Sequence, residues 1–366
     1  MNIIYLVNFD IYKNFSSIKT IGGIEVVTEN VINGLRKQGN RVWVPQRENK
    51  PNWVNKEDID IVCASSYDPL TFLQLLIYKN KFKDTAAIVQ HAHTTYEDLK
   101  GNLLPNISFF NYLVKLWIKI LYSQAHLLIT PTKYSKKLLQ QIQTRPTYPI
   151  YAVSNGVILN EFKEKKNYRL NFRNFLNENY NVPLDSKIIL NVGLPWKRKR
   201  VDLFGKIAEK LPEYYFVWVG PLDVNNKDIR KVLCLSNVIF TGFYKDIREP
   251  YYGSDVLLIT SDEENQCIPL LEASLCGLPL VIRDIEVFDW LEHNKSTFKG
   301  KNPQDLIIGI EKIILDKEYR EKLIKNAKNI TLKNHSFNQT LAEIIKLFKM
   351  AGRIKKIWDK KRKNLL

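Results

Sequence analysis

Short runs of β-branched and apolar residues alternate along this chain with longer amphipathic stretches, and the alternation happens twice. The first series of runs is Ile3–Val7, Arg41–Val44, Ile59–Cys63, Ala86–Gln90, Leu127–Thr130 and Ile150–Val153. The second is Ile188–Val192, Phe216–Val219, Val238–Thr241, Val256–Thr260 and Leu280–Ile282. Strands separated by helices form βαβ units, which build a parallel sheet with helices on both faces. Two series predict an α/β chain of two doubly wound, Rossmann-like domains, 1–160 and 187–335. The stretch 161–186 is rich in Lys, Asn, Glu and Arg and reads as a linker with one amphipathic helix, and 336–366 as a C-terminal helix and basic tail. Ligands of doubly wound sheets sit beyond the carboxyl ends of the strands. With two such domains, the expected site is the cleft between them.

Composition removes several classes of function. Four cysteines (Cys63, Cys234, Cys267, Cys276) occur in 366 residues with no Cys-x-x-Cys pair, and the five histidines are not clustered. A disulfide framework and a structural zinc site are therefore not expected, and a reducing cytoplasm fits. The apolar run Ile3–Val7 stops at Asn8 and is too short for a signal-peptide core. No stretch reaches the ~18–20 apolar residues of a membrane-spanning helix. The 55 basic residues against 38 acidic ones leave a net charge of +17, which favours an anionic partner. Eight cations fall between Lys349 and Lys363 with one acid, Asp359, a run that reads either as a solvated tail or as a contact with an acidic surface.

Four motifs bear chemistry. Gly22-Gly23 precedes a helical face of Ile24, Val27, Val31 and Leu35 that stops at Gly39; such a glycine pair lets a backbone approach a ligand, and the helix start offers amides to a phosphate. His91 and His93 follow a strand in a hydroxyl-rich turn, Gln90 to Asp98, and alternation points both to one side. No third ligand is spaced nearby, so a metal is not expected there. Four consecutive cations, Lys197 to Arg200, occupy a strand-to-helix junction after Val192-Gly193, which suits a diphosphate. Last, Glu264 and Glu272 lie in the turn after a strand and in the helix that follows, before Cys276-Gly277-Leu278-Pro279. Eight steps at ~1.5 Å put them at most roughly 12 Å apart, about the span from a hexose hydroxyl to the ribose of one nucleotide-sugar.

In this order the motifs resemble the family-4 retaining glycosyltransferases of the GT-B architecture, over nearly the whole chain. The markers are Gly22-Gly23-Ile24-Glu25, Val153-Ser154-Asn155-Gly156-Val157, Val192-Gly193 with Lys199, and Glu264-x7-Glu272 with Cys276-Gly277-Leu278-Pro279. The resemblance implies two Rossmann-like domains facing across a cleft, with the C-terminal helix crossing back to the first. It implies a nucleotide-sugar-dependent hexosyltransferase that needs neither metal nor cofactor and takes a UDP-sugar as donor substrate. It assigns catalysis to His93 and Glu264, Glu264 on the donor hexose and His93 in the acceptor domain. Donor binding falls to Gly22, Gly23, Arg198, Lys199, Asn265, Gln266, Cys267, Ile268 and Glu272, with Arg198 and Lys199 on the diphosphate and Glu272 on the ribose. His93-Thr94-Thr95-Tyr96-Glu97-Asp98 and Arg283-Asp284-Ile285 with Asp289-Trp290-Leu291 further resemble bacterial diacylglycerol glycolipid synthases, which implies transfer of a hexose, commonly glucose from UDP-glucose, to a membrane lipid. Three positions depart from the family pattern: Leu194 stands where many relatives have arginine, Arg200 where glycine is usual, and Cys267 where a glycine lines the donor sugar.

The stretch Asn106 to Ser123 bears on the lipid reading. Its polar residues Ser108, Asn111, Lys115 and Lys119 form one narrow stripe, so the helix either lies in a core or rests in a membrane interface with its lysines snorkelling. Phe109, Phe110, Lys115, Trp117 and Lys119, with Trp358 in the basic tail, are the candidate acceptor and membrane residues. The expected partners are a nucleotide-sugar, an anionic membrane surface and its lipid acceptor, and the expected place is the cytoplasm, peripherally bound to the inner face of the cell membrane. The alternatives are the same chemistry on a polyprenyl-linked or soluble glycan, and a UDP-sugar 2-epimerase. Nucleic acid is not expected, because no recognition motif or aromatic interleaving accompanies the cations. The oligomeric state leaves no signal in the sequence.

Overall fold

The structure is a computed structural model that describes residues 1–8, 23–100, 107–143, 148–222 and 227–364. These divide into two compact units. The first holds residues 1–8, 23–155 and 338–364, and the second holds 156–337.

The sheet of the first unit is built from β1 (Asn2–Leu6), β2 (Arg41–Trp43), β3 (Ile61–Ala64), β4 (Ala87–His91), β5 (Leu127–Thr130) and β6 (Ile150–Ala152). All are parallel, in the order β2-β1-β3-β4-β5-β6. Helices on both faces bury these strands, which is why they read as unbroken apolar runs. Trp43, Val54, Leu75 and Ile88 close one core, and Val114, Ile118, Leu121, Leu128 and Ile150 close another. The helix Gly23–Lys37 ends just ahead of Gly39, whose φ of +78° is the left-handed turn expected of it.

The last helix, Phe337–Lys363, joins the first unit. Leu341, Ile344, Leu347, Phe348 and Ala351 face its core. Near its end Lys355, although a lysine, is buried, donating to the Asp84 carbonyl at 3.2 Å and to the Asp359 carboxylate.

The second sheet comprises β7 (Ile188–Val192), β8 (Tyr215–Val219), β9 (Val238–Gly242), β10 (Val256–Ile259), β11 (Leu280–Arg283) and β12 (Phe298–Gly300). It too is parallel, in the order β12-β11-β10-β7-β8-β9. Its core is aromatic: Phe204 meets Phe216 and Trp218 edge-on, and Trp218 stacks on Phe240. The strand order reverses between β7 and β10, the switch point beyond which doubly wound sheets bind their ligands.

Two expectations are corrected. Residues 161–186 are not a linker but the opening element of the second unit. The helix Tyr168–Tyr180 buries Phe172 and Leu176 completely, worth roughly 2 kcal/mol each. Arg173, itself buried, donates to Asp255 at 2.8 Å and to the Leu184 and Ser186 carbonyls. The chain passes between the units near 155 and 337, where Val157 accepts from Phe337 and donates to His335. The second correction is β12, a short edge strand absent from the expected series.

Candidate active site

The site of the second unit grows from the turns after β7 and β10. Asn191 ties the strands together by donating to the Leu258 carbonyl at 2.8 Å. The chain then turns at Gly193, whose φ is +139° and whose carbonyl accepts the Trp218 indole N–H at 2.8 Å. A Cβ on Gly220 would overlap that carbonyl, so the tight approach needs a glycine there. A 3-10 turn, Lys197–Lys199, leads into the helix Val201–Lys210 through Arg200, which adopts the left-handed conformation at φ 54°. This conformation accounts for the glycine usual at that position. Arg200 bears the strain, about 1 kcal/mol, while paired with Asp202 and Asp262 at 2.8 Å each.

The β10 turn folds over this one. Asp262 donates its backbone N–H to the Arg198 carbonyl at 2.8 Å, and Thr260 donates its hydroxyl to the Lys199 carbonyl at 2.7 Å. The two turns therefore present their side chains to one another. Glu264, 3% exposed, accepts from Arg198 Nη1 at 2.9 Å on Oε2, and from Lys199 Nζ and Ser261 Oγ on Oε1. Burial alone would raise this carboxyl, but the charges of Lys199 and Arg198 outweigh it and hold the group at about 2. Arg198 also donates to the Glu263 carbonyl at 2.8 Å.

One helix further on, in Ile268–Leu275, stands Glu272. The buried Tyr251 hydroxyl donates to its Oε2 at 2.7 Å. Burial pushes Glu272 up to about 7 against the pull of that hydrogen bond. Between the two acids Asn265 and Gln266 are buried, Cys267 forms the N-cap, and Ile268 opens the helix. Burial lifts the Cys267 thiol to about 12, so it remains a thiol.

In the first unit His91 ends β4, and the ring of His93 lies 4.0 Å from that of His91, centroid to centroid. The same-side placement read from alternation is what the structure has. Burial lowers His91 to about 4, and burial together with His91 lowers His93 well below the ordinary value. Both imidazoles are therefore neutral near pH 7. The turn beyond them is braced by the Thr95–Asp98 capping box and by Tyr122, which donates to the Thr94 carbonyl at 2.8 Å. Gly23 starts its helix, and a Cβ there would meet no atom of the described residues within 4 Å; Gly22 lies outside those residues.

The helix Ser108–Tyr122 has two faces. Val114, Ile118, Leu121 and Tyr122 are buried in the core, while Phe109 and Tyr112 are about two-thirds exposed, and Leu113, Leu116, Ile120, Lys115 and Lys119 are exposed with them. Phe110 is half-buried. Trp117 is corrected: its indole N–H donates to the Tyr67 carbonyl at 2.9 Å and its ring meets Phe72 edge-on, so it is a packing residue. Trp358 likewise packs against His126 rather than standing free in a tail. Among the described residues no helix is long and apolar enough to cross a membrane, and no group of three or more metal-ligating side chains occurs.

Sequence reasoning missed the supports: Tyr251 beneath Glu272, Ser261 and Thr260 in the β10 turn, and Gly220 with Trp218 behind Gly193. Thr260 was read as the last residue of a strand that ends at Ile259, and Ser261 comes directly after it, so their place near Glu264 was within reach. Missed too was the exposed row Leu70, Leu73 and Ile77 on the helix Pro69–Lys81, a helical spacing visible in the sequence.

Known proteins match both units of the chain. Residues 172–330 match the family "Glycosyl transferases group 1" and residues 49–161 match "Glycosyltransferase Family 4". A processive diacylglycerol alpha-glucosyltransferase of Acholeplasma laidlawii is 29% identical over 73% of this chain and 82% of its own. Sucrose-phosphate synthase from Thermosynechococcus elongatus superposes with a TM-score of 0.76 over 95% of this chain and 98% of its own, at 13% identity. Anabaena HepE in complex with UDP-glucose does so with 0.74 over 96% and 100%, at 18% identity. At such identities these two structures establish the GT-B fold. Both family matches describe sugar transfer, which sets aside the isomerase reading. The chain thus carries a Glycosyltransferase Family 4 domain followed by a Glycosyl transferases group 1 domain, and is a glycosyltransferase built on two parallel doubly wound sheets.

Proposed function

We propose that the chain transfers a hexose, glucose from UDP-glucose, with retention of configuration, to a diacylglycerol-type lipid at a membrane surface. The donor reading rests on one observation: Arg198, Lys199 and Glu264 converge where the strand order reverses, a charge cluster that suits a diphosphate, and Glu272 stands in the helix that follows the same turn. The A. laidlawii relative, named for glucosyl transfer to diacylglycerol, and the HepE complex with UDP-glucose support the choice of sugar and lipid. The exposed apolar face of Ser108–Tyr122, edged by Lys115 and Lys119, suits an anionic leaflet.

The chemistry follows from the charges. As the bond between the anomeric carbon and the phosphate oxygen breaks, negative charge grows on the β-phosphate, and Arg198 and Lys199 stabilise it in a site largely closed to water. The lipid hydroxyl oxygen bonds to the anomeric carbon on the face the phosphate leaves, and its proton passes to that phosphate oxygen. Glu272, as carboxylate, accepts from the ribose hydroxyls. His93, neutral, offers a hydrogen bond to a sugar hydroxyl and adds no charge.

The test is product analysis after incubation with membranes and a panel of labelled nucleotide-sugars, with His93→Ala in parallel. Label from UDP-glucose in a diacylglycerol glycolipid is the expected result, with transfer collapsing in a folded His93→Ala. Label in a polyprenyl-linked or water-soluble product would replace the acceptor. Near-normal turnover in the variant would overturn the role of His93.

A further inference from the structure

The two cations assigned to the diphosphate are already engaged. Arg198 and Lys199 both donate to one carboxylate, Glu264, and each takes a different oxygen. Ser261 adds a third donor at 2.8 Å. A carboxylate held through both oxygens by a guanidinium, an ammonium and a hydroxyl presents to those donors the same charge-assisted acceptors as one edge of a phosphate. The arrangement is enclosed, with the Glu264 side chain 4% exposed, Lys199 11% and Arg198 20%. It is also held in place from outside the trio, since the backbone of Arg198 and of Lys199 is bonded to Asp262 and Thr260 of the turn that presents Glu264.

We infer that Glu264 is the resident anion of the clamp, so that a diphosphate binds by exchange with this carboxylate rather than by joining two waiting cations. The inference rests on the donor reading above and gives Glu264 a task beyond touching the hexose. Two reasons favour such a device. A pair of cations buried without a counter-charge would weigh heavily on the empty fold, and Glu264 removes that cost. A clamp that has its own anion to return to also holds a departing nucleoside diphosphate less tightly, which helps product leave. On exchange the Arg198 and Lys199 donors pass to phosphate oxygens, and the Glu264 oxygens turn to the hydroxyls of the hexose those phosphates bring.

The probes are UDP and inorganic pyrophosphate, neither of which contains a hexose, with uridine as control, titrated calorimetrically into the full chain. A Glu264 that serves only the hexose leaves both affinities unchanged when substituted. By exchange, Glu264→Gln binds UDP and pyrophosphate about tenfold more tightly than the parent, which is ~1.4 kcal/mol. Glu264→Asp separates exchange from general repulsion: it keeps the charge but withdraws it by one methylene, and is expected to bind both about threefold more tightly, whereas repulsion alone predicts no change. Uridine affinity stays the same throughout. Should the glutamine variant not fold, the aspartate variant decides alone. Unchanged or weakened UDP and pyrophosphate binding in the folded variants overturns the inference while leaving the donor reading intact. Failure of the parent chain and the variants alike to bind UDP overturns both.

Discussion

Glu272→Gln is expected to stabilise the protein at pH 8 and to leave it nearly unchanged at pH 4. In the fold, burial raises the Glu272 carboxyl from its ordinary 4.5 to about 7. A raised acid contributes stability that is fully present below pH 4.5 and is lost as pH climbs through about 7, because the folded state holds a proton that the unfolded chain has released. At 1.36 kcal/mol per unit the loss at pH 8 is roughly 3 kcal/mol, and partial exposure of the side chain brings it nearer about 2 kcal/mol. Glutamine has no proton to release and still offers a carbonyl to the Tyr251 hydroxyl, so the hydrogen bond survives the change. Urea unfolding at the two pH values, with the slopes compared to check for a common denatured state, reads the difference. A gain of about 2 kcal/mol confined to pH 8 is expected. Equal effects at both values, or destabilisation at pH 8, would refute burial as the cause. Under the proposed ribose role of Glu272 the same titration governs the donor: the KM for UDP-glucose in the parent should rise as pH falls below about 7 and the carboxylate is protonated, while the glutamine variant shows a high KM with no such limb.

Three further outcomes follow from the geometry. A Cβ on Gly253 would lie 2.6 Å from the Phe172 ring; Gly253→Ala should therefore cost about 1–3 kcal/mol in urea unfolding, and a silent substitution would restore 161–186 as a loosely held segment. Reversing Lys115 and Lys119 to glutamate should lower partition onto anionic vesicles more than tenfold, at ~1 kcal/mol for each lost cation; unchanged partition would remove Ser108–Tyr122 as the docking face. Lys355→Met leaves the Asp84 carbonyl and the Asp359 carboxylate without this donor, so amide exchange should quicken over residues 352–363 and stay unaltered in 156–337.

What could be read in advance was whatever is local and repeated. Strands buried on both faces must be apolar without interruption, and Ile188–Val192 and Leu127–Thr130 were legible to the residue for that reason. Phe298–Gly300 escaped because three residues at a sheet edge, with Lys299 in the middle, leave no pattern to find. The stretch 161–186 misled because its many charges describe only the solvent face. The buried spine is Tyr168, Phe172 and Leu176 at four-residue intervals, and the buried charge, Arg173, finds its partner 82 positions away in Asp255. Trp117 was read as an interface aromatic because spacing cannot say whether an indole N–H will meet lipid headgroups or, as here, the carbonyl of Tyr67. The motif glutamates and cations were all found, but their pairing was not. Arg198 and Glu264 are separated by 66 residues and meet only because β7 and β10 are neighbours, a fact of strand order that periodicity does not encode.

The two glutamates also show how a fixed spacing can serve opposite electrostatic ends. Both are carboxyls in a buried setting, and burial pushes each toward the protonated form. What separates them is the company: Glu264 is bonded to two cations of the neighbouring turn, Glu272 to the Tyr251 phenol. Glu264 is consequently ionised at any pH the enzyme meets, and its stabilising contribution is lost only as pH falls below 4.5 toward about 2. Glu272 instead changes charge near neutrality. A group that must balance Arg198 and Lys199 cannot be allowed to neutralise, since that would leave two buried cations unopposed. Glu272, in the ribose-binding role proposed for it, tolerates a proton, at the expense of donor affinity rather than of the fold. Acidification from pH 8 to pH 6 should accordingly weaken donor binding through Glu272 while the Arg198–Lys199–Glu264 cluster stays intact. A fall in kcat with an unchanged donor KM over that range would contradict this division of labour.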